Sequence, residues 1–444
     1  MKNVFLVFGI LFLMFGAACQ TQTATPIALV ATILPPPIAT ASPTSTLTRT
    51  QTPTIRATAT KTLRPRLQTQ TAVKTITPDT ATPTPTRPPT NTPLPTPLVH
   101  EWDTSIKEIL PAPLYLLGDY NGKTQIWRFE RDAKTRTLIT QFGEAVWDFD
   151  VSPTTGELAI ATKRGLFISD AWGANVRRVQ LKGDNEPIEF TGAVQISWSP
   201  DGTRLLFAHR VIVVYSVANG SYIRLTSPLP DYDLYHPWYP AWSPNGKNVL
   251  VQMAVPDSDI WGMIVVQVET NKKVVSMSYP CGDVSWALDS QAIYFAQSFI
   301  SEAYCGGPGL RRVDLANGQI TELVPGYWNA DLQFVHGAQE SSDDNLYYFY
   351  DFAFPPAESF QGLTHLPVKM HRANKNDLSN PVLLRNDAYE ISEVLWSPKF
   401  DLAVIVDTEA IGRPNNGNIF ILTTDNKPAI TLPMRGSNLR WGKN

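Results

Sequence analysis

The sequence contains few cysteines and no excess of charge of either sign. Its 444 residues include three cysteines, and 37 Lys and Arg stand against 40 Asp and Glu, giving a net charge of −3. This balance excludes a generally basic nucleic-acid-binding protein, which needs a positive excess to bind phosphates. Residues 20–98 also lack glycine and aromatic residues, and all 12 Trp lie at or beyond Trp102. Only the second part of the chain can therefore build a core.

Motifs of several enzyme classes are also absent. The sequence has no Gly-x-Ser-x-Gly nucleophile elbow, no His-Glu-x-x-His motif and no glycine-rich phosphate loop before a helix. We therefore expect no cofactor and no metal. The alternative is a metal held by histidines from separate parts of the fold, for which five lie beyond residue 100: His209, His236, His336, His365 and His371.

The first nineteen residues form an export signal. An apolar run from Val4 to Ala18 follows Lys2. The run is shorter than the roughly 20 residues of an ordinary membrane span and fits a secretory signal peptide. Gly16-Ala17-Ala18-Cys19 resembles the cleavage box of bacterial lipoproteins, which implies a lipid on Cys19 and a place on the outer side of a bacterial cell membrane. Gly16 departs from the usual Leu, so an ordinary cleaved signal is the alternative.

Residues 20–100 are predicted to be a disordered linker. Residues 20–98 contain 25 Thr and 15 Pro, carry a net charge of +6, and bury too little apolar surface to offset the entropy of ordering them. Thr-Pro steps such as those in Thr82–Pro85 favour extended, polyproline-like conformations. We interpret the segment as a spacer, and its threonines are candidates for glycosylation.

Residues 101–444 consist of short apolar strands that repeat. Val194–Gly202 leads into Arg204–Ala208, and Tyr239–Gly246 leads into Asn248–Val251. In each copy a strand ends in a large residue, a Pro-Asp-Gly or Pro-Asn-Gly turn reverses the chain, and an apolar strand returns. Weaker copies include Val151, Trp286 and Trp396.

The Trp-Ser-Pro-Asp-Gly sequence at 198–202 is the most specific part of this unit. It resembles the repeats of TolB-like propellers, which are relatives of the WD-repeat blades, and the weaker copies extend the resemblance over residues 110–444. The resemblance implies an all-β propeller in which each blade is a four-stranded sheet.

The spacing of the repeats predicts seven blades. The large residues at 151, 198, 242, 286, 396 and 441 are 44 to 47 residues apart, except for one interval of 110, which is two units of 55. The hidden unit is expected to have Ala330–Val335 as its first strand and Leu346–Phe352 as its second. Because this unit is poorly marked, six or eight blades are the alternatives.

The last repeat has room for only one strand, because Trp441 lies three residues before the C-terminus. Leu114–Leu117, Gln125–Phe129 and Arg136–Thr140 are predicted as the second, third and fourth strands of a blade that lacks its first. We therefore predict that the C-terminal strand pairs with Leu114–Leu117 and closes the ring, which removes an exposed edge.

Aromatic residues collect in connections expected on one face of the propeller, where inter-blade connections and the loops between second and third strands emerge together. Tyr and Trp there offer broad contact area with a polar edge, which suits binding. The alternative is that they pack within their own loops. The predicted binding residues are Tyr232, Tyr235, His236, Trp238, Tyr239, Tyr327, Trp328, Phe354 and Phe360, with Trp147 extending the same patch.

Cys281 and Cys305 are the two cysteines that remain if Cys19 receives lipid. A pair of cysteines in an exported protein indicates a disulfide, and both are predicted on one face of one blade. Two separate buried thiols are the alternative.

Together these features predict a monomeric, surface-tethered and non-enzymatic propeller. We expect it to bind a protein or glycan through its aromatic loop face, and not to bind nucleic acid. The alternatives are a propeller enzyme of the polysaccharide lyase or hydrolase kind, with residues gathered from several blades, and a structural component of the envelope.

The lipid anchor can be tested by replacing Cys19 with alanine. We expect Cys19→Ala to move the protein from the membrane to the soluble fraction, because the acceptor of the lipid is lost. Circular dichroism of the released protein should still show the β-rich spectrum of the parent. Unchanged membrane fractionation of the variant would contradict the lipoprotein interpretation.

Overall fold

The computed structural model describes residues 108–182, 188, 190, 195–209, 211–225, 237–254, 261–278, 280–297, 309–324, 332–353, 367–408 and 416–443, with some strand ends described by their backbone alone. All of them belong to one structural unit, Thr86–Asn444. The regular elements in these ranges are β-strands, and no helix there is long and apolar enough to cross a membrane.

The strands are numbered in chain order. The first seven are β1 (Leu114–Tyr120), β2 (Lys123–Phe129), β3 (Arg136–Leu138), β4 (Val146–Val151), β5 (Leu158–Thr162), β6 (Gly165–Ser169) and β7 (Arg177–Arg178). The next eight are β8 (Ile196–Trp198), β9 (Arg204–His209), β10 (Val211–Ser216), β11 (Tyr222–Leu225), β12 (Pro237–Trp242), β13 (Asn248–Ala254), β14 (Trp261–Gln267) and β15 (Lys272–Ser278). The next eight are β16 (Pro280–Trp286), β17 (Ala292–Gln297), β18 (Leu310–Asp314), β19 (Ile320–Val324), β20 (Leu332–Glu340), β21 (Asn345–Ala353), β22 (Lys369–Asn374) and β23 (Asp377–Leu383). The last four are β24 (Ile391–Trp396), β25 (Leu402–Asp407), β26 (Gly417–Thr423) and β27 (Ile430–Trp441).

Consecutive strands form antiparallel sheets. Five sheets have four strands each and pair them in chain order: β4–β7, β8–β11, β12–β15, β16–β19 and β20–β23. The first strands of neighbouring sheets contact one another, as β4 does with β8, β16 with β20, and β20 with β24. We call the first strand of each sheet, together with β24 and residues 437–441 of β27, the inner strands.

Strand β27 pairs with two different strands along its 12 residues. Its first part pairs with β26, ending at the Gly417–Gly436 pair, and its last part pairs with β1, ending at the Leu114–Trp441 pair. It thereby joins β24–β26 to β1–β3 in one seven-stranded sheet. A Cβ on Gly436 would lie 2.6 Å from the carbonyl oxygen of Leu117, so only glycine fits where β27 changes partner. The predicted pairing of the C-terminal strand with Leu114–Leu117 is observed.

The hydrophobic core lies between successive sheets. Strands β5 and β25 are buried along almost their whole length, because other sheets cover both of their faces. Between the sheets β4–β7 and β8–β11, for example, Ala161 and Ile168 pack in one cluster with Phe207 and Val213. Each fully buried side chain of the size of Val or Phe stabilises the fold by about 1.5–3 kcal/mol. The sheets therefore form a firm scaffold for the connections between strands.

The repeated Trp-Ser-Pro-Asp-Gly turn is a local hydrogen-bonded motif. Ser199 Oγ donates to Asp201 Oδ1 (2.5 Å) and accepts from the backbone N–H of Arg204 (2.9 Å). Gly202 has a φ of +68°, which favours glycine. The same arrangement recurs at Ser243, whose hydroxyl accepts from the N–H five positions ahead (2.9 Å). The turn residues thus fix the hairpin between the first and second strands of the sheet.

The weakly marked unit has a longer first strand than predicted. β20 runs from Leu332 to Glu340, whereas the sequence suggested Ala330–Val335. An irregular register between His336 and Gln339, with Gly337 at a φ of +58°, lets the strand continue as a bulge past the expected end. The predicted second strand lies inside β21.

Glu340 takes the place of the large aromatic residue in this unit. It ends β20, 54 residues after Trp286 and 56 before Trp396. Its buried carboxylate accepts from the hydroxyl of Tyr294 (3.3 Å) in the preceding sheet and from Lys375 Nζ (2.5 Å). Burial, with the adjacent Glu340 charge, raises the pKa of Tyr294 to about 12. Because an ionic contact replaces the indole, the unit lacks the tryptophan that marks most of the other repeats and is hard to recognise in the sequence.

Closure by β27 can be tested by truncation. Deleting residues 436–444 should leave β1 as an open edge and lower the cooperativity of thermal unfolding, because the remaining sheets still fold locally. Deleting residues 443 and 444 is the matched control, since both lie after β27. If the larger deletion melts like the parent in differential scanning calorimetry, the pairing of β27 with β1 does not close the fold.

Candidate functional site

The predicted aromatic binding residues fall mostly outside the described ranges. Seven of them lie in connections that the structure does not describe: Tyr232, Tyr235, His236, Tyr327, Trp328, Phe354 and Phe360. Trp238 and Tyr239 belong to strand β12 rather than to the connection before it, and only their backbone is described. Trp147 likewise lies in a strand, near the start of β4, with its side chain 37% exposed. The aromatic patch therefore stays a prediction.

The side chains of the three cysteines are not described either. Cys281 lies in inner strand β16, and only the backbone of this residue is described. Cys19 and Cys305 lie outside the described residues. Cys281 is the second residue of strand β16, so it does not lie in the connection between blades. The disulfide and the lipid site are accordingly predictions still.

The inner strands bring a group of charged side chains together. Asp148 and Asp150 lie on β4, Glu393 on β24, and Arg440 on the last part of β27. Sequence reasoning had not selected any of them. Arg440 Nε lies 3.2 Å from Asp150 Oδ1, and its Nη1 lies 3.7 Å from Glu393 Oε1. We call these four residues and Asn438 the inner cluster.

The two aspartates bind the backbone of the next inner strand. Asp148 Oδ2 accepts from the N–H of Ile196 (2.6 Å), and Asp150 Oδ2 accepts from the N–H of Trp198 (2.6 Å). The side-chain amide of Asn438 donates to the other oxygen of Asp148. Because these backbone groups belong to the unpaired edge of β8, the aspartates satisfy donors that no strand can reach.

Glu393 does the same for the closing strand. Its Oε2 accepts from the N–H of Asn438 (2.6 Å) and its Oε1 from the N–H of Leu439 (2.6 Å). The carboxylate therefore holds two consecutive backbone donors of β27 while it also faces Arg440. Asn438 has a φ of +55°, and this turns the backbone so that both N–H groups point toward Glu393.

Burial and charge set the protonation of the inner cluster. Burial raises the pKa of Asp148 to about 7, although Arg440 and the hydrogen bonds from Ile196 and Asn438 act in the opposite direction. Burial also raises the pKa of Asp150, against the effect of Arg440. Arg440 is desolvated, but Asp150, Asp148 and Glu393 raise its pKa, and it remains a cation.

A weak sequence signal for this cluster did exist. Asp148, Glu393 and Asn438 each lie three residues before the large residue that ends an inner strand, at 151, 396 and 441. Aligning those three repeats on their large residues would therefore have revealed a shared polar position in the inner strand. It would not have revealed which backbone donors the side chains reach, because those lie one repeat further on.

The large aromatic residues also join neighbouring sheets. The indole N–H of Trp242 donates to the carbonyl oxygen of Ser197 (3.2 Å), that of Trp396 to Gly337 (2.6 Å) and that of Trp441 to Trp396 (2.7 Å). Each bond runs from the end of one inner strand back to the preceding one. The repeated tryptophan thus links blades as well as filling the core.

A second group of titratable residues lies where β24 begins. Burial raises the pKa of Glu390 to about 7, the nearby Asp407 adds to this effect, and the nearby His336 opposes it. The backbone carbonyl of Glu390 accepts from the N–H of Thr408 (2.9 Å), which places it beside the end of β25. Within the described ranges, no three His, Cys, Asp or Glu residues are arranged to hold a metal ion.

Trp172 presents an exposed ring on the turn between β6 and β7. Its side chain is 57% exposed, and the guanidinium carbon of Arg128 lies 3.9 Å from the ring centroid. Glu130 fixes the guanidinium through two contacts, of 2.8 and 3.1 Å, and Tyr115 accepts from it (2.8 Å). This turn joins a third strand to a fourth, so it emerges opposite the loops that join second to third strands.

No protein-family profile matches the chain. Among curated proteins, dipeptidyl-peptidase 5 of Porphyromonas gingivalis is 24% identical over 247 residues, which cover 50% of this chain and 32% of the peptidase. The chain thus spans about a third of the length of this relative.

Among solved structures, TolB from Acinetobacter baumannii matches 77% of this chain and 69% of its own, with 16% identity and a TM-score of 0.42. A puromycin hydrolase matches 74% of this chain and 53% of its own, with 12% identity and a TM-score of 0.50. The consecutive four-stranded antiparallel sheets are those of a β-propeller, the fold that the Trp-Ser-Pro-Asp-Gly repeat implied. Such identities speak to the fold alone.

The role of Glu393 can be measured by substitution. Glu393→Ala should lower the free energy of unfolding by about 2 kcal/mol, because two backbone donors lose their acceptor and only partly regain it from water. Glu322→Ala is the control, since Glu322 forms an exposed pair with Arg311 on β18, and it should cost at most about 0.5 kcal/mol. Equal losses in urea unfolding would show that Glu393 is not a closing contact.

Proposed function

We propose that this protein is a seven-bladed propeller that binds another macromolecule and performs no catalysis. The five four-stranded sheets supply five blades. Dividing the seven-stranded sheet at Gly436, where β27 changes partner, supplies two more: β24–β26 with the first part of β27, and the last part of β27 with β1–β3. Each of the seven then contains four strands.

One observation carries the non-catalytic part of the proposal: the charged side chains of the inner cluster are committed to the fold. Asp148, Asp150 and Glu393 together accept four backbone N–H groups of neighbouring inner strands. A carboxylate that must hold such donors is poorly placed to exchange protons with a substrate, because each turnover would break contacts that join the blades.

The binding face is proposed on the side of the connections between blades and between second and third strands. The aromatic residues predicted for binding lie in or beside these connections, and Trp147, near the start of β4, adds a partly exposed indole there. Aromatic side chains contribute much contact area at a small entropic cost, which suits both protein and glycan partners. The proposed disulfide between Cys281 and Cys305 would restrain one segment of this face.

The remainder of the chain supports a tethered position. The predicted signal peptide, the predicted lipid on Cys19 and the Thr- and Pro-rich linker support a position at the outer side of a bacterial membrane. Residues 99–444 contain 29 Lys and Arg against 39 Asp and Glu, and this acidic excess disfavours nucleic acid as the partner.

A propeller enzyme is the second candidate, and Glu390 is the observation that favours it. A carboxyl group with a pKa of about 7 beside Asp407 and near His336 has the properties of a general acid or base. The names of two matched proteins, a dipeptidyl-peptidase and a puromycin hydrolase, suggest hydrolysis as the reaction class to test.

A binding screen with matched variants tests the proposal. Full-length protein lacking only its lipid is screened on glycan and peptide arrays, and hits are measured by calorimetry. Replacing Tyr232, Tyr235 and Trp238 together with alanine should weaken binding at least tenfold, because large contact areas are lost. Trp172→Ala is the control, since that exposed indole lies on the opposite side and should leave affinity unchanged.

The same preparation distinguishes the second candidate. If Glu390→Gln abolishes turnover of an array ligand while the aromatic variant still binds it, the protein is an enzyme rather than a binding protein. Loss of binding in both the aromatic variant and Trp172→Ala would instead show that the contact surface is not on the proposed face.

A further inference from the structure

A basic turn joins β5 to β6, the second and third strands of their sheet. Thr162 pairs with Gly165, so two residues form the turn. They are Lys163 and Arg164, and both side chains are exposed. The exposed Arg178 of β7 lies beside them, because its Nη2 donates to the carbonyl oxygen of Arg164 (2.6 Å). We call Lys163, Arg164 and Arg178 the basic patch.

The cations of the basic patch are only partly neutralised. Within the described ranges, Glu144 is the one carboxylate that contacts this turn. Its Oε1 accepts from the hydroxyl of Thr162 (2.8 Å), and its Oε2 lies 3.6 Å from Arg164 Nε. Among the same residues, neither Lys163 nor Arg178 forms an ion pair with a carboxylate. Three cations against one carboxylate give the turn a positive charge, although the propeller as a whole is acidic.

The basic patch lies on the side that is proposed for binding, because its turn joins a second strand to a third. Val146 pairs with Thr162, which places Trp147, the next residue of β4, beside the same turn. The indole of Trp147 is 37% exposed. Exposed arginine and tryptophan side chains are among those that contribute most to protein–protein contacts.

We propose that the basic patch, together with Trp147, binds a short acidic segment of a partner protein. This inference rests on the proposed binding function and adds the chemistry of the partner. Carboxylates need only donors, which exposed guanidinium and ammonium groups supply. The hydroxyl groups of a sugar also need acceptors, and the carboxylate oxygens of Glu144 are already engaged with Thr162 and Arg164. The patch therefore suits acidic side chains better than a glycan.

The small size of the basic patch favours a short segment over a long polyanion. Exposed charges act over about 8 Å at physiological ionic strength, so a short acidic segment interacts mainly with the patch itself. A nucleic acid or a long acidic glycan would extend over the surrounding surface of a propeller in which acidic residues outnumber basic ones. The acidic excess of the whole domain and the basic patch thus select the same kind of partner.

Fluorescence anisotropy with synthetic peptides tests the proposal on full-length protein lacking only its lipid. The probe is a peptide of glutamates around a central tyrosine, and its matched control has glutamine in place of every glutamate. We expect the glutamate peptide alone to bind, and its affinity to fall as salt is raised, because the charges are exposed. Lys163→Gln combined with Arg164→Gln should lower this affinity about tenfold, since two of the three cations are lost.

Lys399→Gln combined with Lys427→Gln is the matched control, because it removes the same total charge. Both lysines are exposed and lie in turns between first and second or third and fourth strands, on the opposite side of the propeller. This variant should bind the glutamate peptide with the affinity of the parent. Both double variants should melt like the parent, since all four side chains are exposed.

Three results would overturn the proposal. The first is that the parent does not bind the glutamate peptide, and the second is that both double variants lose affinity equally. The third is that the acidic glycan alginate binds more tightly than the peptide and depends equally on Lys163 and Arg164, which would make the partner a glycan. If an array ligand requires Tyr232, Tyr235 and Trp238 but not these two cations, the binding function stands and the basic patch alone is rejected.

Discussion

The unpaired edge of each inner strand is the constraint on which the structure depends. A sheet that forms one blade ends at its first strand, and the backbone donors on that edge have no further strand to bind. Here the preceding blade supplies carboxylates: Asp148 and Asp150 for β8, and Glu393 for β27. Since a buried donor without an acceptor costs about 1–3 kcal/mol, each of these hydrogen bonds adds to the apolar contacts that join the blades.

Three tryptophans at the ends of inner strands form hydrogen bonds with the blade that precedes their own in the chain. Trp242, Trp396 and Trp441 each donate an indole N–H to the inner strand before their own. In these cases the carboxylates reach forward to the next blade, and the three indoles reach back to the previous one. Glu340, which stands where the other units have a large residue, also contacts the previous sheet, because its carboxylate accepts a hydrogen bond from the hydroxyl of Tyr294. The contact with the previous blade is therefore kept in this unit although a glutamate replaces the tryptophan.

This distinction explains what the sequence could reveal. The turn at Ser199–Gly202 is encoded locally, so its pattern predicted a hairpin without knowledge of the rest. The pairing of Leu114 with Trp441 joins residues 327 positions apart, yet counting repeats predicted it, because a ring leaves only one place for a lone strand. Glu340 and Glu393 could not be interpreted, since their partners lie in another sheet and are recognisable only when the sheets are placed side by side. For the candidate binding face, sequence provides residue types and topology, and nothing local determines how those long connections pack.

At Asp148 two consequences of closing the ring act against each other. The side chain must accept hydrogen bonds, and it must do so away from water. Accepting hydrogen bonds from Ile196 and Asn438 favours the ionised carboxylate, while removal from water disfavours it. The second effect is larger because the carboxyl group is almost wholly removed from water, and the charge of Arg440 offsets only part of it. An apolar residue would leave the N–H of Ile196 without an acceptor, and a fully ionised residue would add uncompensated charge. A carboxyl group whose pKa is raised by burial, and lowered in part by Arg440 and by its hydrogen bonds, is the compromise that this position allows.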